Sequence, residues 1–130
     1  MILLKGVSTI AQEKSYENKI KDYLKSIGAY YIKTHGDRFT KVGTPDIIGT
    51  IKGYFFALEV KATTGKPSEL QLYHLRQILF TGSYGAIIVP TAGVDKIRNF
   101  IDNNYPEYDC VPVIDLKKFK KDVETLLTSH

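Results

Sequence analysis

The amino-acid sequence predicts an α/β fold in which helices flank a mixed β-sheet. Three observations carry this. An apolar stripe at helical spacing lies near the start, two β-prone runs meet around a Lys-Gly turn, and helical and strand-like segments alternate from there on.

From Thr9 to Ile27 the residues Ile10, Tyr16, Ile20, Tyr23, Leu24 and Ile27 recur on one helical face, and Gly28 supplies a stop. Ala29 to Lys33 reads as a short strand, and a polar loop runs from His35 to Thr44. Asp46 to Ile51 and Tyr54 to Lys61 form a hairpin around Lys52-Gly53. After a loop from Ala62 to Pro67, Ser68 starts a helix whose buried stripe is Leu72, Leu75, Ile78 and Leu79, ended by Gly82 and Gly85. Gly85 to Pro90 reads as a buried strand, Val94 to Asn103 as a helix and Val111 to Ile114 as a short strand. Asp115 caps a last helix that runs to Leu127. The expected order is α-β-β-β-α-β-α-β-α.

Composition narrows the function classes. A chain of 130 residues without repeats or a Ser/Gly/Pro linker is expected to form one domain. No apolar run approaches the roughly 20 residues that span a bilayer, and Met1 to Leu4 is too short for a signal sequence. Cys110 is the only cysteine, which excludes an internal disulfide and a cysteine-built zinc site and fits a reducing compartment. The net charge of +4 permits an anionic partner without demonstrating one.

The chemistry concentrates in the central hairpin. Strand alternation puts Phe56, Leu58 and Val60 on one face and Phe55, Ala57, Glu59 and Lys61 on the other. A two-residue loop at Lys52-Gly53 pairs Ile51 with Tyr54, Ile48 with Ala57 and Asp46 with Glu59; a four-residue loop keeps this register and a three-residue loop does not. Opposed carboxylates repel across a ladder, and a cation in the gap removes the repulsion. Oxygen ligands without thiolates or a histidine cluster favour Mg²⁺ or Mn²⁺. Such an ion retains waters, one of which can attack a phosphodiester. Lys61, beside Glu59, would position that water or offset charge on the phosphate. The competing reading is an ion pair of Glu59 or Asp46 with Lys61 on a partly exposed hairpin. Gly43 and Pro45 suit a sharp strand entry.

Pro45-Asp46 and Glu59-Val60-Lys61 resemble the signature of the PD-(D/E)xK nuclease superfamily. More narrowly, the chain is similar to a stand-alone VRR-NUC domain of phages and bacteria. The residues that carry this are Glu17 in the first helix, Gly43-Thr44-Pro45-Asp46, Leu58-Glu59-Val60-Lys61-Ala62, and Gln71 in Ser68-Glu69-Leu70-Gln71. The match runs from about Glu17 to Val89, and the tail after Pro90 carries no motif. The resemblance implies a restriction-endonuclease-like αβββαβ core over about residues 9–90, with a strand and helix extension over about 91–130. It implies that Asp46, Glu59 and the main-chain carbonyl of Val60 bind Mg²⁺ or Mn²⁺ with help from Glu17. Lys61 is then catalytic together with Asp46 and Glu59, and Gln71 stands at the active site. The implied activity is endonucleolytic cleavage of DNA, selective for branched substrates such as Holliday junctions, by a homodimer. The implied setting is the cytoplasm of a bacterial or phage-infected cell, away from membranes. A flap- or sequence-specific nuclease on the same core, and a non-catalytic DNA-binding or assembly module, are the alternatives. The strand Gly85 to Pro90 and the helices after it are candidate dimer surfaces.

Other residues keep two readings. Glu17 stands four residues before Lys21, as in an exposed helical ion pair, yet also lies at the edge of the buried stripe; Glu13, one turn earlier, is the fallback. Ser68 and Gln71 match a capping box, a structural alternative to a site role. Lys33, His35, Arg38 and Lys41 make either a solvated loop or a set of DNA phosphate contacts, of which Lys33 is the strongest. His35 is also a candidate base, and His74 faces either the site edge or solvent. Lys117, Lys118, Lys120 and Lys121 form a solvated face or a secondary DNA contact.

Overall fold

The Lys52-Gly53 turn sets the centre of the structure, a computed structural model that describes residues 2–34 and 42–129, with side chains from Thr9 onward. Lys52 and Gly53 both have positive φ, 46° and 86°, the pattern of a two-residue turn whose twist matches the strands it joins. The strands on either side are β2 (Ile47–Ile51) and β3 (Tyr54–Val60), antiparallel with Ile51 opposite Tyr54 and Ile48 opposite Ala57, the register expected from the sequence. Strand β1 (Tyr30–Lys33) adds antiparallel to β2, β4 (Tyr84–Ile88) adds parallel to β3, and β5 (Val113–Ile114) adds parallel to β4. The result is a five-stranded mixed sheet in the order β1-β2-β3-β4-β5.

Helices cover both faces because each strand alternates apolar side chains to either side. On one face α1 (Ile2–Ser26) and α4 (Leu116–Thr128) bury Ile20, Leu24, Phe119 and Val123 against Phe56, Leu58 and Val60. On the other, α2 (Glu69–Phe80) and α3 (Val94–Asn104) bury Leu72, Leu75, Ile97 and Ile101 against Ala57, Ile87 and Val89. Short 3₁₀ turns at Thr91–Gly93 and Pro106–Tyr108 bracket α3. Asp115 caps α4 by accepting from the Lys118 N–H, as its position predicts.

Two expectations are corrected. Helix α1 begins at Ile2 rather than Thr9: no proline interrupts residues 2–9, and one interior glycine, Gly6, costs a helix only about 1 kcal/mol. Asp46 and Lys61 stand just outside their strands, because the backbone ladder closes at Ile47 opposite Leu58 and at Val60 opposite Ile88. Strand β4 lies between β3 and β5, and β5 pairs with it at Ile87 and Ile88. Among the described residues no helix is long and apolar enough to cross a membrane.

Candidate active site

The ends of β1, β2 and β3 deliver charged side chains to one place, where α1 and the start of α2 close in. Asp46 is held twice. Its Oδ2 accepts from the Val60 N–H at 2.9 Å, so a side chain continues the β2–β3 register one step past the ladder. Its carbonyl accepts from the Thr34 N–H at 2.8 Å, and the Thr34 hydroxyl lies 2.7 Å from the Pro45 carbonyl. Thr34 has no signal in the sequence; it matters because it follows β1 and locks the chain entering Asp46.

Glu59 is only 2% exposed, although it is the one buried charged residue among those described. Its Oε2 accepts from Gln71 Nε2 at 3.0 Å and lies 3.6 Å from Lys61 Nζ, while Oε1 is buried with no hydrogen-bond partner among the described residues. Burial, with the charge of Asp46 and a side-chain hydrogen bond that the protonated carboxyl can make to it, pushes the Glu59 carboxyl up to about 9, and Lys61 only partly opposes them. The ion pair with Lys61 expected as the bland alternative is present, but on a buried acid rather than an exposed hairpin.

Gln71 performs both roles that its sequence position left open. Its Oε1 accepts from the Ser68 N–H at 2.9 Å while its own N–H bonds to Ser68 Oγ at 3.1 Å, a complete capping box. With Oε1 so engaged, Nε2 is left to point at Glu59. Ser68→Ala is expected to cost about 1 kcal/mol, as for lost caps generally. Gln71→Ala should cost about 1 kcal/mol more, because it also strips the donor from a buried carboxylate. Urea denaturation of the two variants checks the difference, and equal losses would mean that the Gln71–Glu59 bond contributes nothing.

Helix α1 contributes Glu17 and Glu13. Glu17 bridges two lysines: Oε2 lies 3.0 Å from Lys21 Nζ and Oε1 lies 3.0 Å from Lys33 Nζ. Burial raises its carboxyl, but hydrogen bonds from Lys21 and Lys33 outweigh this and hold it below the ordinary value. Lys33 also reaches Asp46 Oδ1 at 3.5 Å. Burial works against its ammonium form, yet the hydrogen bond and charge of Glu17, with those of Asp46, raise its pKa. Glu13 accepts from the Ala62 N–H beside Lys61; burial raises its carboxyl, with Asp46 adding to the rise and Lys61 opposing it. One residue earlier, Gln12 Oε1 accepts from the Thr63 N–H at 2.8 Å, tying α1 to the segment after Lys61. An open groove of about 310 Å³, lined by Thr9, Ile10, Glu13, Lys14 and Glu17, runs along α1 from these acids.

The structure thus brings together Glu17, Lys33, Asp46, Glu59, Lys61 and Gln71, and adds Glu13, the fallback acid. His35, Arg38 and Lys41 lie outside the described residues. His74 packs on the lead-in to Asp46 with Nε2 3.0 Å from the Val42 carbonyl. On α4, Lys118 pairs with Asp122 at 2.8 Å and Lys120 stands over the Tyr23 ring; Cys110 is exposed.

Among the described residues no group of three or more His, Cys, Asp or Glu side chains stands ready to hold a metal ion, and Lys33 lies between Glu17 and Asp46. The donor set nevertheless suits a hard divalent cation: it is all oxygen, and the orphaned Glu59 Oε1 is a buried acceptor that a cation would satisfy. No protein-family model matches the chain, and no curated protein matches it.

Proposed function

We propose that this chain is a Mg²⁺- or Mn²⁺-dependent DNA endonuclease with a restriction-endonuclease-like core, acting as a homodimer on branched DNA such as a four-way junction. One observation carries the reading: Glu59 is a buried acid with an unpartnered oxygen, beside a second acid and a lysine at the ends of adjacent strands. A fold that sought only stability would not bury such a group, since an ionisable side chain taken out of water without a full set of hydrogen bonds costs free energy. The α1-β1-β2-β3-α2-β4 order supports the αβββαβ core that the sequence motifs imply.

When bound, a hard divalent ion polarises a phosphoryl oxygen and makes water a competent nucleophile near neutral pH. Glu59 Oε1, Asp46 Oδ1, the Val60 carbonyl and Glu17 would hold it. The chain's own residues then have distinct tasks. Gln71 fixes Glu59 through Oε2 and so leaves Oε1 for a cation. The Val60 N–H fixes Asp46 through Oδ2 and leaves Oδ1. Lys61, with 15% of its side chain exposed, supplies a positive charge that Glu59 holds in place, available to an equatorial oxygen of a phosphate as charge builds there. A chain with one such site makes one cut, and two copies related by a two-fold axis would place paired cuts on a branched duplex.

The test is cleavage of plain duplex, flap, fork and four-way-junction DNA with Mg²⁺ or Mn²⁺, for the wild type beside Asp46→Ala and Lys61→Ala. Junction cleavage that needs metal is expected, with each variant slower by about 100- to 1000-fold, the scale of losing one electrostatic stabiliser. Absence of cleavage on every DNA with either metal would overturn the activity. Undiminished cleavage by both variants would overturn the site.

A further inference from the structure

Two of the oxygens that a metal would need are not free. Asp46 Oδ2 is taken by the Val60 N–H, so Oδ1 is its remaining oxygen, and Lys33 Nζ lies against it at 3.5 Å. Glu17 Oε2 is taken by Lys21, and Lys33 Nζ lies 3.0 Å from the other oxygen. One ammonium therefore spans the remaining oxygen of each acid, one on α1 and one before β2. Its charge and a divalent ion's would share the same few ångströms, where like charges repel strongly.

Lys33 is suited to leave. Its side chain is 30% exposed, its stem is long and flexible, and a displaced ammonium is readily hydrated. Lys61 is not placed to do the same, because its contact is with Glu59 Oε2 and leaves Glu59 Oε1 clear. Before a metal arrives, Lys33 offsets the repulsion among Glu13, Glu17 and Asp46. Once its acids are occupied it has lost its partners at the rim of the site, where a phosphate of the nucleic acid would be the next anion.

We infer that Lys33 is an exchangeable internal cation: it holds Glu17 and Asp46 until a divalent ion displaces it, and the displaced ammonium then takes a DNA phosphate. This rests on the metal site proposed above. Metal loading and DNA binding are coupled through this one side chain, so DNA is gripped most firmly by the loaded protein.

Calorimetric titration with Mn²⁺ alone tests the exchange. Removing the competing charge in Lys33→Met is expected to tighten Mn²⁺ binding about tenfold. Lys21→Met, which leaves Asp46 Oδ1 covered, should tighten it by less than half as much on the logarithmic scale. Asp46→Asn should abolish binding. If Asp46→Asn binds Mn²⁺ as the wild type does, or the wild type does not bind it, the metal site itself is wrong and the exchange falls with it. If Asp46→Asn loses binding while Lys33→Met binds no more tightly than wild type, the exchange alone is wrong. Lys33→Gln carries the same comparison should the methionine variant fail to fold.

Anisotropy of a labelled duplex tests the second step. In EDTA the loss of DNA affinity in Lys33→Met should be the smaller one, because Lys33 is engaged with its acids. With Ca²⁺ as a hard ion in the site, the variant should bind about threefold more weakly and show a salt slope shallower by about 0.9, one phosphate contact fewer. An equal loss with and without metal would make Lys33 a permanent contact, and no loss in either would remove the phosphate step; both results overturn that part.

Discussion

Glu59→Gln is expected to stabilise the metal-free protein at alkaline pH while abolishing metal-dependent cleavage. The Glu59 carboxyl sits well above its ordinary value, at about 9, because it is buried and faces Asp46. A group whose pKa is raised by folding favours the folded state while it is protonated. Its contribution is fully present below the unfolded value of 4.5 and is lost as pH rises toward 9. Glu13, also raised, adds to the same slope from its lower end. Glu17 is lowered and Lys33 raised, so neither titrates in that window, and their ion pair contributes a constant. In EDTA the melting temperature of the wild type should therefore fall between pH 5 and pH 9. A neutral glutamine cannot ionise, so the variant should match the wild type near pH 5 and exceed it at pH 9 by roughly 2–3 kcal/mol. That is about two pKa units at 1.36 kcal/mol each, a part of the rise that burial imposes on the Glu59 carboxyl. Mn²⁺ should restore the wild type at high pH and leave the variant unchanged. Cleavage by the variant should be at least about 100-fold slower. Parallel melting curves for the two proteins would mean that Glu59 is not the group whose burial sets the slope.

The parts of this site that were legible in the sequence are those set by short-range rules. A two-residue turn fixes a hairpin register, so Lys52-Gly53 determines that Ile48 faces Ala57 and that Asp46 arrives beside Glu59. Strand alternation places Glu59 on the α2 face, and a capping box announces the start of α2 at Ser68. The parts that were not legible depend on pairings across long connections. No turn sets the register of β1 on β2, because the segment joining them is long; only the fold shows that Lys33 lies opposite Ile47, within reach of both Glu17 and Asp46. The same pairing brings Thr34 to the Asp46 carbonyl. Glu13 and Gln12 acquire their partners at Ala62 and Thr63 only when α1 crosses the end of β3, an approach that helical periodicity does not specify. Gln71 illustrates a different limit. Its cap was readable, but that the nitrogen of the same amide would meet Glu59 follows from how α2 packs on β3.

Gly49→Ala is expected to cost about 3 kcal/mol, the upper end for forced overpacking, and to lower the melting temperature by about 10 °C. Strand β1 pairs with β2 so closely at this point that a methyl group on Gly49 would fall within 3 Å of the Tyr30 carbonyl oxygen and the Tyr31 Cα, and at 2.7 Å from the Phe56 ring. Two of these neighbours are backbone and cannot rotate away. Gly85→Ala is the matched control. Gly85 also lies in a strand and is the more buried of the two, but its added methyl would meet Leu75 at 3.5 Å and Ile78 at 3.6 Å, ordinary van der Waals contacts, so the change should cost less than about 1 kcal/mol. Urea denaturation of both variants measures the contrast. The consequence reaches the site because this pairing brings Lys33 and Thr34 to Asp46. A strand pushed off by a few tenths of an ångström lengthens the Lys33 contacts to Glu17 and Asp46 together. In Gly49→Ala the further substitution Lys33→Met should then change Mn²⁺ affinity less than it does in the wild type. Equal stability losses in Gly49→Ala and Gly85→Ala would show that β1 does not hold the close approach on which that placement depends.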